Sequence, residues 1–138
     1  MGTWATDALG NDDACDWAYG LDECGDLSLV EETLNKALSE GAEYLESPDA
    51  CEALAAIEVI ARLQGNWGIR NSYSQSIDAW VEKNRLVPSR ALAEKAQKVI
   101  TRILADDSEL KELWEDSEEF GDWEASVRDL AGRVQLST

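Results

Sequence analysis

The sequence contains no histidine, so it lacks the side chain that most often acts as a general base or a metal ligand near neutral pH. Without histidine, the serines and cysteines have no ordinary partner that would activate them as nucleophiles. Neither of the glycine-rich phosphate-binding patterns, G-x-x-x-x-G-K-S/T and G-x-G-x-x-G, occurs. An enzyme is therefore the less favoured class of function, and we expect no cofactor and no metal site.

Cysteines and long apolar runs are also scarce. The three cysteines, Cys15, Cys24 and Cys51, show no C-x-x-C spacing, and their odd number does not fit a fully paired disulfide framework. No apolar stretch approaches the roughly 20 residues that span a bilayer, and the chain does not open with a basic and apolar signal segment. We therefore expect a cytoplasmic protein that has reduced thiols and does not bind membranes.

Basic residues are few, with 12 Lys and Arg against 29 Asp and Glu, and the formal net charge is -17. Residues 1–69 hold 15 acids and 2 bases, which gives -13, whereas the remainder holds 14 acids and 10 bases, which gives -4. An acidic surface repels nucleic acid phosphates and anionic membranes, so we expect neither as a partner. The charge favours a basic protein as partner, or serves solubility alone, and it leaves the oligomeric state open.

The apolar residues of the chain recur at helical spacing. With 138 residues, of which 44% are hydrophobic, residues 1–138 are predicted to form a single acidic helical domain with one core. No stretch alternates for long enough to require a strand. These patterns predict an all-α fold, an irregular bundle of six or seven helices around a central apolar helix, with a short extended arm over residues 2–10 in front of it.

Local signals predict where several helices begin. Asn11 and the two aspartates after it suit a helix start, because they cap the chain and face the positive end of the helix dipole. Ser89 begins a long amphipathic helix after Pro88. The pattern Asp106-x-x-Glu109 is predicted to cap a short helix that carries Leu110, Leu113 and Trp114.

Residues 48–63 form the strongest predicted helix, opened by Ser47 and Pro48. Apolar residues cover nearly every side of it, which is typical of a helix at the centre of a fold. Four tryptophans are expected in the core because they fall on apolar stripes: Trp17, Trp80, Trp114 and Trp123. Trp67 lies between Gly65 and Gly68 in a predicted loop, so we expect it to be exposed or to line a pocket.

Glu58 and Arg62 are the charged residues of interest on this central helix. They lie four residues apart, in the order that favours an ion pair. A carboxylate on a mostly buried helix must be paired or protonated. A structural ion pair is the first interpretation, and a general base of raised pKa beside a pocket near Trp67 is the second.

Acidic residues cluster near the start of the chain at Asp12, Asp13 and Asp16, and again at Asp22 and Glu23. Helix capping explains part of the first cluster. Neither cluster has the alternating ligands, central glycine and distal glutamate of a calcium loop. A docking edge for a basic partner is the alternative to a merely solvated surface.

Two segments resemble a bacterial family of domains of unknown function, family 4259. The first is the opening Gly2-x-Trp4 followed by Asn-Asp-Asp-Ala-x-Asp-Trp over residues 11–17, and the second is the alanine-rich stretch over residues 53–61. The resemblance implies a bacterial, cytoplasmic origin and adds no chemistry.

Two functional hypotheses remain. The leading one is a protein-interaction or inhibitory binding module, whose binding residues would include the acidic clusters together with Glu58, Arg62 and Trp67. The alternative is a carboxylate-based enzyme or a small-ligand pocket around Glu58 and Trp67.

Overall fold

Seven helices make up the fold in a computed structural model that describes residues 12–40, 43–68, 70 and 74–136. No strand occurs in these ranges, so the predicted all-α fold is confirmed. The predicted arm over residues 2–10 and the proposed cap Asn11 lie outside the described residues. The helices are α1 (Asp12–Leu21), α2 (Ser28–Glu40), α3 (Ser47–Leu63), α4 (Gln75–Lys83), α5 (Arg90–Leu104), α6 (Glu109–Glu115) and α7 (Phe120–Arg133).

Helix α3 occupies the centre, as predicted, and packs against each of the other six helices. Pro48 stands in its first turn, where the missing N–H costs nothing. The small residues Ala53, Ala55, Ala56 and Ala61 are fully buried, which lets neighbouring helices approach closely. From Ala53 to Arg62 every residue of α3 is buried, including the two charged ones.

Helices α1 and α2 each pack against α3 through the apolar stripes that the sequence predicted. Trp17 and Leu21 on α1 and Leu34 on α2 are buried. The indole N–H of Trp17 donates a hydrogen bond of 2.8 Å to the hydroxyl of Thr33. This bond satisfies the only polar atom of the ring and joins the two helices inside the core.

The other predicted core tryptophans, Trp80, Trp114 and Trp123, are also buried. The rings of Trp114 and Trp123 stack with their centroids 6.4 Å apart, which joins α6 to α7. The predicted start of α5 is confirmed, because the hydroxyl of Ser89 accepts a hydrogen bond from the backbone N–H of Leu92.

The start of α6 differs from the prediction. Asp106 does not cap this helix; it is an exposed residue of the preceding loop, and Ser108 is the N-cap. The cause is a contact with a distant segment: Leu45 accepts a hydrogen bond from the N–H of Glu109 and donates one to the carbonyl of Asp107, each 2.8 Å long. In α6 Leu110 and Trp114 are buried, whereas Leu113 is 44% exposed.

Polar side chains hold the end of α7 and the residues after it against the rest of the fold. Gln97 on α5 donates to the carbonyls of Ala131 and Val134 at 2.8 and 3.0 Å. Asn66 donates to the carbonyl of Arg133 at 2.8 Å, and Gln64 exchanges two hydrogen bonds with the backbone of Gln135. These bonds occupy carbonyls that the helix end would otherwise leave without partners.

None of the helices in the described ranges is long and apolar enough to cross a bilayer.

Because α3 is central, we expect two leucine truncations to lower the free energy of unfolding by different amounts. Leu54 on α3 is 3% exposed, whereas Leu113 is 44% exposed. We expect Leu54→Ala to lower the free energy of unfolding by about 2–5 kcal/mol through lost burial and a residual cavity, and Leu113→Ala to lower it by less than about 1 kcal/mol. Urea denaturation monitored by circular dichroism measures both, and similar losses would contradict the central placement of α3.

Candidate functional site

The charged residues of α3 belong to a buried ionic cluster at the junction of α3, α4 and α7. Glu58 is 5% exposed, and its carboxylate holds the guanidinium of Arg133 through two hydrogen bonds, Oε2 to Nη2 at 2.8 Å and Oε1 to Nη1 at 3.1 Å. Oε1 also lies 3.4 Å from Nη1 of Arg62. The predicted pair of Glu58 and Arg62 is therefore present, but the stronger partner of Glu58 comes from α7.

Arg62 continues the cluster to α4, where Nε lies 3.1 Å from Oδ1 of Asp78. Oδ2 of Asp78 accepts a hydrogen bond of 2.7 Å from the hydroxyl of Ser74 and lies 3.5 Å from Nε of Arg70. Asp78 is 6% exposed and Arg62 is 2% exposed. Two carboxylates and two guanidiniums, from Glu58, Asp78, Arg62 and Arg133, thus balance one another inside the fold.

The backbone at Gly68 lies directly against this cluster. A Cβ atom at position 68 would lie 2.7 Å from Nη1 of Arg133 and 2.8 Å from its Cζ. Arg133 has little freedom to move aside, since it also bonds to Asp129 at 3.0 Å and to the carbonyl of Asn66 at 3.3 Å. A larger residue at position 68 would therefore have to displace the guanidinium from its present contact with Glu58.

Trp67 packs on the outer side of the cluster. Its ring lies 4.4 Å from the guanidinium carbon of Arg70 and 5.7 Å from that of Arg62, measured to the ring centroid, which is cation–π range. The side chain is half-buried and packs against the hydrophobic core. The expected loop position is correct, and the ring covers the charged cluster.

The cluster is built for holding charge rather than for proton transfer. A general base needs an oxygen within hydrogen-bond reach of a substrate proton, and both oxygens of Glu58 face guanidiniums. Burial lowers the pKa of Arg133, but the hydrogen bonds with Glu58 and Asp129 outweigh that effect and raise its pKa above the ordinary value. The geometry favours the structural interpretation of Glu58.

Sequence reasoning missed Asp78 and Arg133. Asp78 stands one residue after the buried Ile77 and three before the buried Val81, and Arg133 stands three after the buried Leu130. A charged residue at helical spacing from an apolar stripe was the available signal for both.

The second group of predicted site residues, Asp12, Asp13, Asp16, Asp22 and Glu23, belongs to an acidic face at α1, the turn after it and the start of α2. We define this face by eight residues, of which all but the partly buried Asp13 are exposed: Asp12, Asp13, Asp16, Asp22, Glu23, Asp26, Glu31 and Glu32. It lies apart from the ionic cluster in the chain and contributes no residue to it.

Like charges on the acidic face act on one another. Burial raises the pKa of Asp13 above its ordinary value, and the nearby carboxylates of Asp16 and Asp12 raise it further. The effect reaches α3, where the pKa of Glu52 is raised by burial and, among other charges, by Asp13. Among the residues that the structure describes, no group of three or more acids and cysteines is arranged to hold a metal ion.

A surface groove of about 510 Å³ lies where the acidic face meets α4. Its lining includes Asp22, Glu23, Lys83, Asn84 and the nearly buried Trp80.

One family model, the domain of unknown function DUF4259, matches residues 2–126. The chain belongs to the DUF4259 family. The resemblance predicted from the sequence is thereby confirmed. Comparison with curated proteins and with solved structures finds no match.

The DUF4259 match has a consequence for the ionic cluster. It covers Glu58, Arg62 and Asp78 but ends before Arg133. In this DUF4259 member the cluster therefore joins three residues inside the matched range to one beyond it.

The ionic cluster predicts strong coupling between Glu58 and Arg133. Removing either partner leaves a buried charge, so Glu58→Ala and Arg133→Ala should each lower the free energy of unfolding by about 3–5 kcal/mol. The double variant should lose less than the sum of the two, by about 1–3 kcal/mol.

The exposed i,i+4 pair of Glu124 and Arg128 provides the matched control for this cycle, with an N–O distance of 3.2 Å. Its coupling energy should stay below about 1 kcal/mol. Strictly additive losses at Glu58 and Arg133, measured by denaturant unfolding, would contradict the proposed coupling.

Chemical labelling of the cysteines provides a second test, in which Cys51 reports burial and Cys15 reports the charge of the acidic face. Burial and neighbouring acids raise the pKa of Cys51 to about 12, so iodoacetamide at pH 8 should modify Cys51 only after unfolding. The pKa of Cys15 is raised by burial and then by Asp12 and Asp16. Added salt screens those carboxylates and should therefore speed the labelling of Cys15.

Mass spectrometry of timed samples measures the labelling of both thiols. Because iodoacetamide is uncharged, added salt changes the labelling rate through the fraction of thiolate and not through attraction or repulsion of the reagent. Asp16→Asn should raise the rate at Cys15 and weaken its salt dependence. Rapid labelling of Cys51 in the native protein, or a rate at Cys15 that ignores salt, would count against these placements.

Proposed function

We propose that this chain is a protein-interaction module that binds a basic protein through its acidic face. The observation that carries the proposal is the exposure of unneutralised charge. Of the eight acids that define the face, Glu31 alone has an ion pair with a basic side chain in the described part of the chain, at 3.5 Å from Lys95.

The cost of this arrangement supports a functional reading. Like charges gathered on one surface repel one another in the folded state, and the raised pKa of Asp13 reflects part of that repulsion. The chain has ten basic residues after position 69, yet among the described residues only Lys95 forms an ion pair with the acidic face. A field of this kind attracts a basic protein over distances up to roughly the 8 Å screening length at physiological salt.

The proposal also indicates what binding would do. Nucleic acid phosphates and the acidic face would compete for the same lysines and arginines of a partner. A partner such as a nuclease would thus be inhibited while bound. The alternative of an enzyme around Glu58 and Trp67 has no supporting observation, because guanidiniums occupy the carboxylate and flank the ring.

We also propose that the protein works in the cytoplasm. All three cysteines are free, two of them partly exposed. Thiols of this kind persist in a reducing compartment, whereas paired cysteines are typical of secreted proteins.

The experiment is affinity capture from native bacterial lysate at low and high salt, with mass spectrometry of the eluate. We expect a basic protein that is captured at low salt and lost as salt rises. Purified partner should then associate more slowly with the variant Asp12→Asn/Asp16→Asn/Glu32→Gln than with the unchanged protein.

A variant with the same change in net charge serves as the control. Glu115→Gln/Asp116→Asn/Glu118→Gln neutralises three exposed acids outside the face and should leave the association rate near its original value. An acidic partner, an association rate indifferent to salt, or equal effects of the two triple variants would refute a specific role of the acidic face.

A further inference from the structure

A second surface groove, of about 500 Å³, is lined by the end of α3, the loop before α5 and Gln135. Leu63, Val87 and Pro88 supply its apolar lining. Val87 is 90% exposed, more than any other large hydrophobic residue that the structure describes. The apolar area of this side chain leaves water only if another surface covers it.

The groove belongs to the basic part of the chain. Residues 83–105 hold six bases and one acid, which gives +5 in a chain whose net charge is -17. Arg90 lines the groove, and its ion pair with Glu94, at 3.1 Å, is exposed and therefore weak. Arg85, two residues before Val87, is exposed and has no ion pair among the described residues. The groove therefore suits an acidic surface that carries an exposed apolar side chain.

The chain itself presents such a surface on α1. Asp12, Asp16 and Tyr19 lie at i, i+4 and i+7, so they share one side of the helix, and all three are exposed. Tyr19 is 66% exposed. A tyrosine ring can bury apolar area in a groove while its hydroxyl stays in water. A second copy of the chain therefore offers both the charge and the apolar group that the groove lacks.

The acidic and basic surfaces adjoin on the molecule. Asp22 and Glu23 of the acidic face line the same groove as Lys83, and Lys83 lies two residues before Arg85. When opposite charges lie side by side, a two-fold axis can place each of them against its opposite on a second copy. The same contact then forms twice, and the assembly closes as a dimer.

We infer that two copies of this chain associate in this way, with Tyr19 of each copy in the groove beside Val87 of the other. The two carboxylates on the stripe of Tyr19 then face Arg85 and Arg90. A second copy is favoured over another acidic protein because this chain carries both halves of the contact.

This inference goes beyond the proposed function, because a second copy and a basic partner compete for the acidic face. The two associations respond to salt in opposite directions. Two chains of net charge -17 repel each other over a long range, and salt screens that repulsion more than it screens charges in contact. Dimerisation therefore strengthens from low to physiological salt, whereas binding of a basic protein weakens.

The first test is sedimentation equilibrium of the purified full chain over a range of protein concentrations. We expect a monomer–dimer equilibrium that is tighter at about 0.15 M salt than at about 0.01 M, since the screening length falls from roughly 30 Å to 8 Å between them. A monomer at every concentration and at both salt levels would overturn the inference.

Charge reversal tests the pairing of the two surfaces. Asp12→Lys/Asp16→Lys and Arg85→Glu/Arg90→Glu should each be monomeric, because like charges then meet at both contacts. An equal mixture of the two variants should form a 1:1 heterodimer, because opposite charges meet again. Circular dichroism checks that each variant is folded, and a failure of the mixed variants to pair would overturn the inference.

Substitution of the exposed apolar residues tests the contact itself. Tyr19→Ser and Val87→Ser should each weaken dimerisation at least about tenfold, because each change is present in both contacts of the dimer. Leu113→Ser is the matched control, since Leu113 is 44% exposed and lies outside both surfaces, and it should leave dimerisation unchanged. Unchanged dimerisation of Val87→Ser would overturn the inference.

Failure of the dimer and failure of the proposed function can be told apart, because the dimer is measured on purified protein alone. If the chain stays monomeric while a basic protein is captured from lysate, the dimer is wrong and the proposed function stands. If the mixed charge variants pair but no salt-sensitive basic partner is captured, the dimer stands and the proposed function falls.

Discussion

The near-complete burial of α3 is the constraint on which the rest of this structure depends. A helix that contacts six others can carry charge only where those neighbours bring the opposite charge. Glu58 and Arg62 meet this condition through Arg133 and Asp78. The positions of α4 and α7 around α3 are thus set by apolar packing and by charge pairing at the same junction.

The same constraint separates the two electrostatic properties of the chain. Inside, two acids and two bases cancel, so the ionic cluster contributes nothing to the formal net charge of -17. The whole excess of negative charge is therefore carried by residues outside this cluster, and the acidic face holds a large share of it. Internal pairing can stabilise the fold at any salt concentration, since buried pairs are screened little. The surface charge instead responds to salt, which suits a role in reversible association.

Local patterns were sufficient to predict most helices, the central place of α3 and the pairing of Glu58 with Arg62, because these depend on residues within a few turns of one another. The partners Arg133 and Asp78 lie 75 and 16 positions away in the chain from Glu58 and Arg62. Such pairings arise from how helices pack, and helical spacing alone does not contain that information. The start of α6 was misjudged for the same reason, since the backbone of Leu45 determines it. The concentration of acids could be recognised from the sequence composition, whereas the groove beside it forms only where α4 packs near the turn after α1.

The family match ends before α7 does, and the residues of α7 beyond the match still contact the core. A chain cut at residue 126 would retain Trp123 but lose Val127, Leu130 and Val134 from the core. It would also leave Gln97 and Asn66 without the carbonyls that they bind. Glu58 would then face an open side of the central helix with Arg62 as its remaining partner. The core packing of α7 and its ion pair with Glu58 therefore extend beyond the end of the family match.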